Sequence, residues 1–274
     1  MAAVKPVIHL LGDAILDNYY RLADQNRDMK KELDDLGFKV NNCAIDDVKV
    51  ADVINGIVPN KLYTQSRKYS YPIQGDGKMY PLKSVLNNIG VNKSFDSVYS
   101  NVSAVGRIST SKEDNMVVIS MGGSDIYSKI GNILFGGDYF ISVVLTDEFV
   151  ANFRGVIESV SKCCSKIVLV SIYLPYLGVG SSYGMYTPFS NAVLKRWNTF
   201  INGIAKEYDI PVLDLSRTLN IGTREHYGTD DTRVSNISNK CIAQCLSYIY
   251  SHYAGHRIYY CENCNIDNIR SEKA

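Results

Sequence analysis

The sequence predicts an α/β fold in which parallel strands alternate with helices. Short apolar runs rich in β-branched residues have the length of buried strands, and five of them occur, at residues 7–11, 38–45, 115–122, 166–173 and 210–215. Segments with the spacing of amphipathic helices separate these runs. Because alternation of strand and helix is typical of a parallel sheet, we expect five parallel strands with helices on both faces.

Four segments carry the helical pattern, at residues 16–37, 146–162, 189–208 and 236–253. The second has clear start signals, since Thr146 can cap the helix and two acidic residues follow in the first turn. Gly37 is the expected stop of the first segment. We therefore expect each of these segments to form one helix.

The composition is that of an ordinary globular protein, with 274 residues, of which 46% are hydrophobic and 21% charged. The net charge of +1 provides no overall field that would attract nucleic acid or an anionic membrane. The N-terminus lacks the long apolar region and cleavage site of a signal peptide, and no stretch has the length of a membrane span. These features predict a cytoplasmic protein without a membrane or nucleic-acid partner.

The domain organisation predicted from the sequence is simple. We expect one domain over residues 1–254, interrupted at about 58–82 by an insertion rich in Tyr and Lys. Residues 255–274 are expected to form a C-terminal tail with one edge strand and a frayed end.

Four short blocks follow the predicted strands or precede the last helix. They are Gly12-Asp13-Ala14, Gly56, Gly122-Gly123-Ser124-Asp125 and the segment from Asp230 to Ser235 that includes Arg233. Ligands of parallel sheets bind where the carboxyl ends of the strands meet. We therefore expect Ala14 and Ser124 to lie at one end of the sheet, together with the loop at 173–188.

In order and spacing, these blocks resemble those of the SGNH or GDSL hydrolases, a family of esterases, lipases and carbohydrate deacetylases. The resemblance covers residues 7 to about 250 and implies a flavodoxin-like three-layer α/β/α sandwich around a five-stranded parallel sheet. It also implies that Ala14 replaces the nucleophilic serine, that Ser124 replaces an oxyanion-binding asparagine, and that Arg233 replaces the histidine base. Gly56 and Asp230 match the family pattern, and the resemblance implies that Ala14, Gly56, Ser124 and Arg233 converge at one end of the sheet.

These replacements remove the chemistry of ester hydrolysis. An alanine methyl cannot attack a carbonyl group, and an arginine cannot accept a proton near neutral pH. We therefore expect no intact catalytic set, and a binding or structural role for the protein. The alternative is a serine esterase or carbohydrate deacetylase, either carrying an engineered Ala14 or using a rearranged base such as His226. For His226 itself, the sequence favours an exposed loop histidine.

The predicted pocket retains groups that can bind a small anionic or polar ligand. The binding set comprises Asp13, Ala14, Gly56, Gly123, Ser124, Asp125 and Arg233. Backbone N–H groups and a guanidinium group together favour an anion. An internal ion pair between Arg233 and one of the nearby carboxylates is equally compatible with the sequence. Tyr173, Tyr176, Tyr183 and Tyr186 are expected to overhang the rim.

The chain has seven cysteines, an odd number that fits reduced thiols better than a disulfide framework. Cys241, Cys245, Cys261 and Cys264 have a spacing that would allow four thiolates to meet at a zinc ion. The sequence favours a packing role for the first two, because they lie on an amphipathic helix where cysteine acts as a small hydrophobic residue. No metal and no cofactor are predicted.

Overall fold

A computed structural model describes residues 5–16, 27–42, 44, 49–55, 115–127, 145–162, 164–178, 187–228 and 234–273. The chain divides into two compact units. The first unit comprises residues 1–17, 37–124 and 146–167, and the second comprises 18–36, 125–145 and 168–274. The predictions for the insertion, Gly56, Asp230, Arg233, Tyr183 and Tyr186 lie outside the described residues.

In chain order the elements are β1 (Val7–Gly12), α1 (Met29–Asp35), β2 (Lys39–Asn42), α2 (Val50–Asn55), β3 (Asn115–Ser120), α3 (Gly123–Tyr127), α4 (Asp147–Ser161), β4 (Lys166–Val170), α5 (Thr187–Glu207), β5 (Val212–Leu213), α6 (Leu215–Thr218), α7 (Asn236–Ser251), β6 (Ile258–Cys261) and β7 (Ile269–Glu272). All five predicted strands are present. The predicted α/β class is confirmed. None of the described helices is both long and apolar enough to cross a membrane.

The first unit contains three parallel strands, with β1 between β2 and β3. Every residue of β1 and β3 is buried, as expected for strands covered on both faces. The register pairs Gly12 with Ser120, so β1 and β3 end side by side. This register brings together the segments that follow the two strands.

Helix α4 forms as its sequence predicts. The hydroxyl of Thr146 accepts a hydrogen bond from the N–H of Phe149 over 3.2 Å, and Asp147 and Glu148 occupy the first turn. The buried apolar side chains form one stripe along the helix, namely Phe149, Phe153, Val156, Ile157 and Val160. In the first unit this stripe packs against α2.

The second unit contains four strands in the order β4, β5, β6 and β7. The first two pairings are parallel, and β6 pairs with β7 antiparallel. The tail therefore contributes two strands where one was predicted, and the described residues contain seven strands where five parallel strands and one edge strand were expected. The sequence signal was weak because β7 alternates between half-buried and exposed residues.

Of the first predicted helical segment, the structure describes residue 16 and residues 27–37. Helix α1 begins at Met29, because the side chain of Asp28 accepts a hydrogen bond from the N–H of Lys31 over 2.8 Å and caps the helix there. The chain then turns at Gly37, which has a φ of +94° and confirms the predicted stop. A polar residue within a helical pattern has thus set the start of the helix.

Candidate functional site

The turn after β1 carries the first block of the predicted site. The N–H of Asp13 donates to the carbonyl oxygen of Ser120 over 2.8 Å, and the N–H of Leu16 donates to the carbonyl oxygen of Asp13 over 3.0 Å. These bonds hold residues 13–16 in a tight turn directly after the strand. The backbone of position 14 is thereby fixed at the end of the sheet.

Gly12 makes this turn possible. Its φ is +125°, and a Cβ atom at this position would lie 1.6 Å from the carbonyl oxygen of Ser120. No L-amino acid with a side chain fits such a position without moving the backbone. The glycine of the first block is therefore required by the close approach of β1 and β3.

The carboxylate of Asp13 joins the first and third blocks. Asp13 is buried, and it accepts hydrogen bonds from the hydroxyl of Ser120 over 2.8 Å and from the N–H of Gly123 over 3.1 Å. Ala14 adjoins Asp13, and Ser124 adjoins Gly123. The hydrogen bond between Asp13 and Gly123 therefore brings the two segments together. Ser120 was not anticipated from the sequence, and its only signal is its place at the end of β3.

Ala14 and Ser124 are the predicted site residues that follow β1 and β3. Both residues are half-buried. Within the described part of the chain, neither the N–H of Ala14 nor the hydroxyl of Ser124 has a hydrogen-bond partner. Asp125 lies beside Ser124 in α3 and is also half-buried. The described part of these two segments therefore offers two hydrogen-bond donors, the N–H of Ala14 and the hydroxyl of Ser124.

His226 lies in the second unit and differs from its prediction. It is 5% exposed, whereas the sequence favoured an exposed loop histidine. Its Nδ1 accepts a hydrogen bond from the N–H of Asn220 over 2.9 Å. The proton of the neutral ring therefore lies on Nε2. The residue was misjudged because burial in this loop depends on α7, whose Ser238 hydroxyl donates to the carbonyl oxygen of His226 over 2.8 Å.

Tyr173 and Tyr176 form a buried aromatic group with Tyr227 in the second unit. The ring centroid of Tyr227 lies 6.2 Å from that of Tyr173 and 5.8 Å from that of Tyr176. All three residues are under 9% exposed, so the first two do not overhang a rim as predicted. Burial raises the pKa of the Tyr227 hydroxyl, which has no hydrogen-bond partner in the described structure.

Three cysteines of the second unit form the group best suited to a metal ion among the described residues. The Sγ atoms of Cys241, Cys245 and Cys261 all lie within 4.8 Å of one another, and all three residues are buried. The hydrogen bond to Cys245, together with burial, raises the pKa of the Cys241 thiol to about 12. Without a cation, the Cys241 thiol is therefore neutral near neutral pH.

Comparisons with known proteins bear on the fold. No protein-family model matches the sequence, and no curated protein matches it either. Solved structures do match. A Streptococcus pneumonia protein named as a candidate platelet activating factor aligns with 91% of this chain and 86% of its own, at 16% identity and a TM-score of 0.51.

Two further matches carry the names of hydrolases. A candidate SGNH hydrolase from Slackia heliotrinireducens aligns with 89% of this chain and 98% of its own, at 12% identity and a TM-score of 0.49. The acetyl xylan esterase AlAXEase aligns with 90% of this chain and 100% of its own, at 15% identity and a TM-score of 0.47. The Streptococcus pneumonia protein, with a TM-score of 0.51, shows a fold shared with this chain. At 16% identity a shared fold carries no information on activity.

Proposed function

We propose that this protein is a non-catalytic SGNH-like protein that uses the hydrolase scaffold for binding or for a structural role. The observation that carries the proposal is Ala14, which occupies the fixed turn after β1. Acyl transfer by this fold needs a hydroxyl group at that position, activated by a neighbouring base. The methyl group of Ala14 can neither attack nor be deprotonated.

The other replacements support the same conclusion. Removal of one oxyanion donor costs about 10² to 10³ in rate, and the Ser124 hydroxyl is shorter than an asparagine amide. In the sequence, Arg233 stands where the base is expected, and a guanidinium remains protonated near neutral pH. Loss of a nucleophile or a base alone can cost on the order of 10⁶ in turnover.

The geometry of His226 weakens the alternative of a rearranged base. Its Nδ1 is occupied by the Asn220 N–H, and its imidazole contacts the thiol of Cys264. A general base needs an unprotonated nitrogen within hydrogen-bond reach of the group it activates. The two hydrogen-bonding contacts of this imidazole, with Asn220 and Cys264, are both with groups of the second unit.

Hydrolysis of a short-chain aryl ester tests the proposal. We expect the native chain and Ala14→Ser to show no turnover above background, since neither has a base. Ala151→Ser is the matched control, because it adds a hydroxyl group at an exposed position of α4. Turnover by Ala14→Ser within tenfold of an ordinary serine esterase would overturn the proposal. So would a natural gene that encodes serine at position 14 and an active product.

A triple variant tests whether the three replaced side chains account for the expected lack of esterase activity. Combining Ala14→Ser with Ser124→Asn and Arg233→His restores all three side chains of the family pattern. We expect this variant to recover more activity than Ala14→Ser. Activity confined to the triple variant would support loss of catalysis by replacement of these side chains.

We further propose that the site binds a small anion or polar ligand. The half-buried Ala14 has a backbone N–H without a partner in the described structure. Gly56 and Arg233 belong to the other sequence blocks that resemble the site of the SGNH hydrolases. Phosphate, acetate and acidic sugars are the probes, with thermal stability as the readout. A ligand at 100 times its Kd adds about 2.7 kcal/mol to the free energy of unfolding.

Arg233→Ala separates a ligand site from an internal ion pair. If Arg233 binds the ligand, this variant loses the stabilisation by the anion. If no anion shifts the melting temperature of the native protein and Arg233→Ala only lowers stability, Arg233 closes the pocket through an internal ion pair and the ligand proposal fails.

A further inference from the structure

Four of the seven cysteines of the chain gather in one place in the second unit. Cys241 and Cys245 lie one turn apart on α7, Cys261 ends β6, and Cys264 follows in the next turn. Cys264 is half-buried and its thiol interacts with that of Cys241, but it lies outside the group of three whose Sγ atoms are all within 4.8 Å of one another. One pair of cysteines lies on α7 and the other follows at the end of β6. The two pairs lie close together, although 15 residues separate Cys245 from Cys261.

The separations suit a tetrahedral ion. In a structural zinc site each Zn–S bond is about 2.3 Å, which places neighbouring sulfurs about 3.8 Å apart. The Sγ atoms of Cys241, Cys245 and Cys261 are already within 4.8 Å of one another. A contraction of about 1 Å, within reach of χ1 adjustments, would bring these sulfurs to zinc-binding distance.

The turn between the last two cysteines is held in shape by its surroundings. Asn263 and Cys264 have φ values of 54° and 53°, a left-handed conformation that reverses the chain after Cys261. The Asn263 side-chain oxygen accepts a hydrogen bond from Asn220 over 2.9 Å, and the N–H of Cys261 donates to the Thr218 hydroxyl over 3.2 Å. These contacts fix both cysteines of the pair on the side that faces α7.

One donor is in place to stabilise a thiolate at Cys264, namely the His226 imidazole, which hydrogen-bonds its thiol. The Ser238 hydroxyl lies 3.8 Å from the Cys264 Sγ atom but donates its proton to the His226 carbonyl oxygen, and the neutral Cys264 thiol donates to the Thr218 carbonyl oxygen over 3.7 Å. Because the His226 Nδ1 accepts from Asn220, the Nε2 side of the ring carries the proton. This tautomer makes His226 a hydrogen-bond donor to sulfur and excludes it as a zinc ligand while the Asn220 bond persists.

We propose that Cys241, Cys245, Cys261 and Cys264 bind a structural zinc ion, with His226 as a positioning residue for Cys264. On binding, four S–H bonds are lost and four Zn–S bonds form. Four protons leave to solvent, and no atom is oxidised or reduced. The ion ties the last helix to the strand that extends the sheet of the second unit.

Simple packing of reduced thiols is the competing account. Buried cysteines do act as small hydrophobic residues, and Cys164 is such a case, since its thiol donates to the Asn115 carbonyl oxygen over 3.1 Å. Packing alone does not require three thiols whose Sγ atoms lie within 4.8 Å of one another. Nor does it require the left-handed turn at Asn263 and Cys264 that places a fourth thiol beside them. Cys164 therefore supplies a matched control of the same residue type and similar burial.

The metal content of the full chain tests the proposal. We expect protein produced with added zinc and dialysed against metal-free buffer to retain one zinc ion per chain. Cys245→Ser and Cys261→Ser are expected to retain about a tenth or less, and Cys164→Ser to retain the full amount. His226→Ala should keep the stoichiometry but bind about tenfold or more weakly. Zinc loss by His226→Ala as complete as by Cys245→Ser would overturn the assignment of Cys264 as the fourth ligand.

A second measurement needs no variant. Removing zinc from the wild-type chain with a chelator should lower its Tm, and adding zinc back should restore it with release of protons. Replacement by cobalt should give the sulfur-to-cobalt charge-transfer bands of a tetrahedral thiolate site. A wild-type chain that retains no zinc, shows no change in Tm with zinc, or holds a Cys261–Cys264 disulfide by intact mass would overturn the proposal.

Discussion

The hydroxyl of Ser120 donates a hydrogen bond to the carboxylate of Asp13 over 2.8 Å, although the two residues lie 107 positions apart in sequence. The same carboxylate also accepts from the N–H of Gly123. One buried side chain thus fixes the geometry of two blocks of the predicted site. Its role is to hold the site in shape whether or not the site is catalytic.

A double-mutant cycle of Asp13→Asn and Ser120→Ala measures this link. Each single change should lower the free energy of unfolding by about 1 to 3 kcal/mol, because it leaves a buried partner without its hydrogen bond. The two losses should be coupled by at least about 0.5 kcal/mol in urea denaturation. Simple additivity would show that the two side chains contribute independently.

Gly12→Ala should be among the most destabilising single changes in the first unit. The new Cβ atom would meet the Ser120 carbonyl oxygen at 1.6 Å, on a backbone with φ +125°. We expect a loss of about 3 kcal/mol or more, combining backbone strain with overpacking. Gly37→Ala is the matched control, since its φ is +94° but nothing lies within 4 Å of its Cβ position. It should cost about 1 kcal/mol, and equal losses in the two variants would contradict the steric explanation.

The stability of the fold should depend on pH through His9. Burial, with a smaller effect of Lys39, lowers the pKa of His9 from 6.5 to about 4. Between these values the unfolded chain binds more protons than the folded one. The contribution of His9 is therefore complete above pH 6.5 and is lost as the pH falls towards about 4.

His9→Asn isolates this effect. The His9 Nδ1 lies 3.2 Å from the side-chain nitrogen of Asn41, and an asparagine oxygen can accept the same hydrogen bond. The native protein should lose up to about 3 kcal/mol more than the variant between pH 7 and pH 4, measured by chemical denaturation. Parallel pH profiles for the two proteins would show that His9 is not the titrating group.

Two tyrosine substitutions should differ in sign or size. The buried hydroxyl of Tyr227 has no hydrogen-bond partner in the described structure, whereas that of Tyr259 donates to the His252 carbonyl oxygen over 3.1 Å. Tyr227→Phe should leave the free energy of unfolding unchanged or raise it by up to about 1 kcal/mol, and Tyr259→Phe should lower it by about 1 kcal/mol. Thermal and urea denaturation measure both, and a larger loss for Tyr227→Phe would reveal a partner for its hydroxyl.

The sequence by itself determined the elements whose signals are local. Strands β1 and β3 follow from short, continuous apolar runs, and α4 follows from a capping threonine and one apolar stripe. Such patterns need no knowledge of distant residues, because cap and periodicity act within a few positions. The α/β class was predictable for the same reason, since the sequence marks the strands of the sheet clearly.

Only the tertiary structure decided which distant groups meet. The pairing of Asp13 with Ser120, the burial of His226 and the joining of Cys241 with Cys261 each depend on strand register or helix packing. The sequence also missed β7, whose half-buried and exposed residues are ordered by pairing with β6. Local patterns encode helices and strands, whereas contacts between residues tens of positions apart arise only when those elements pack.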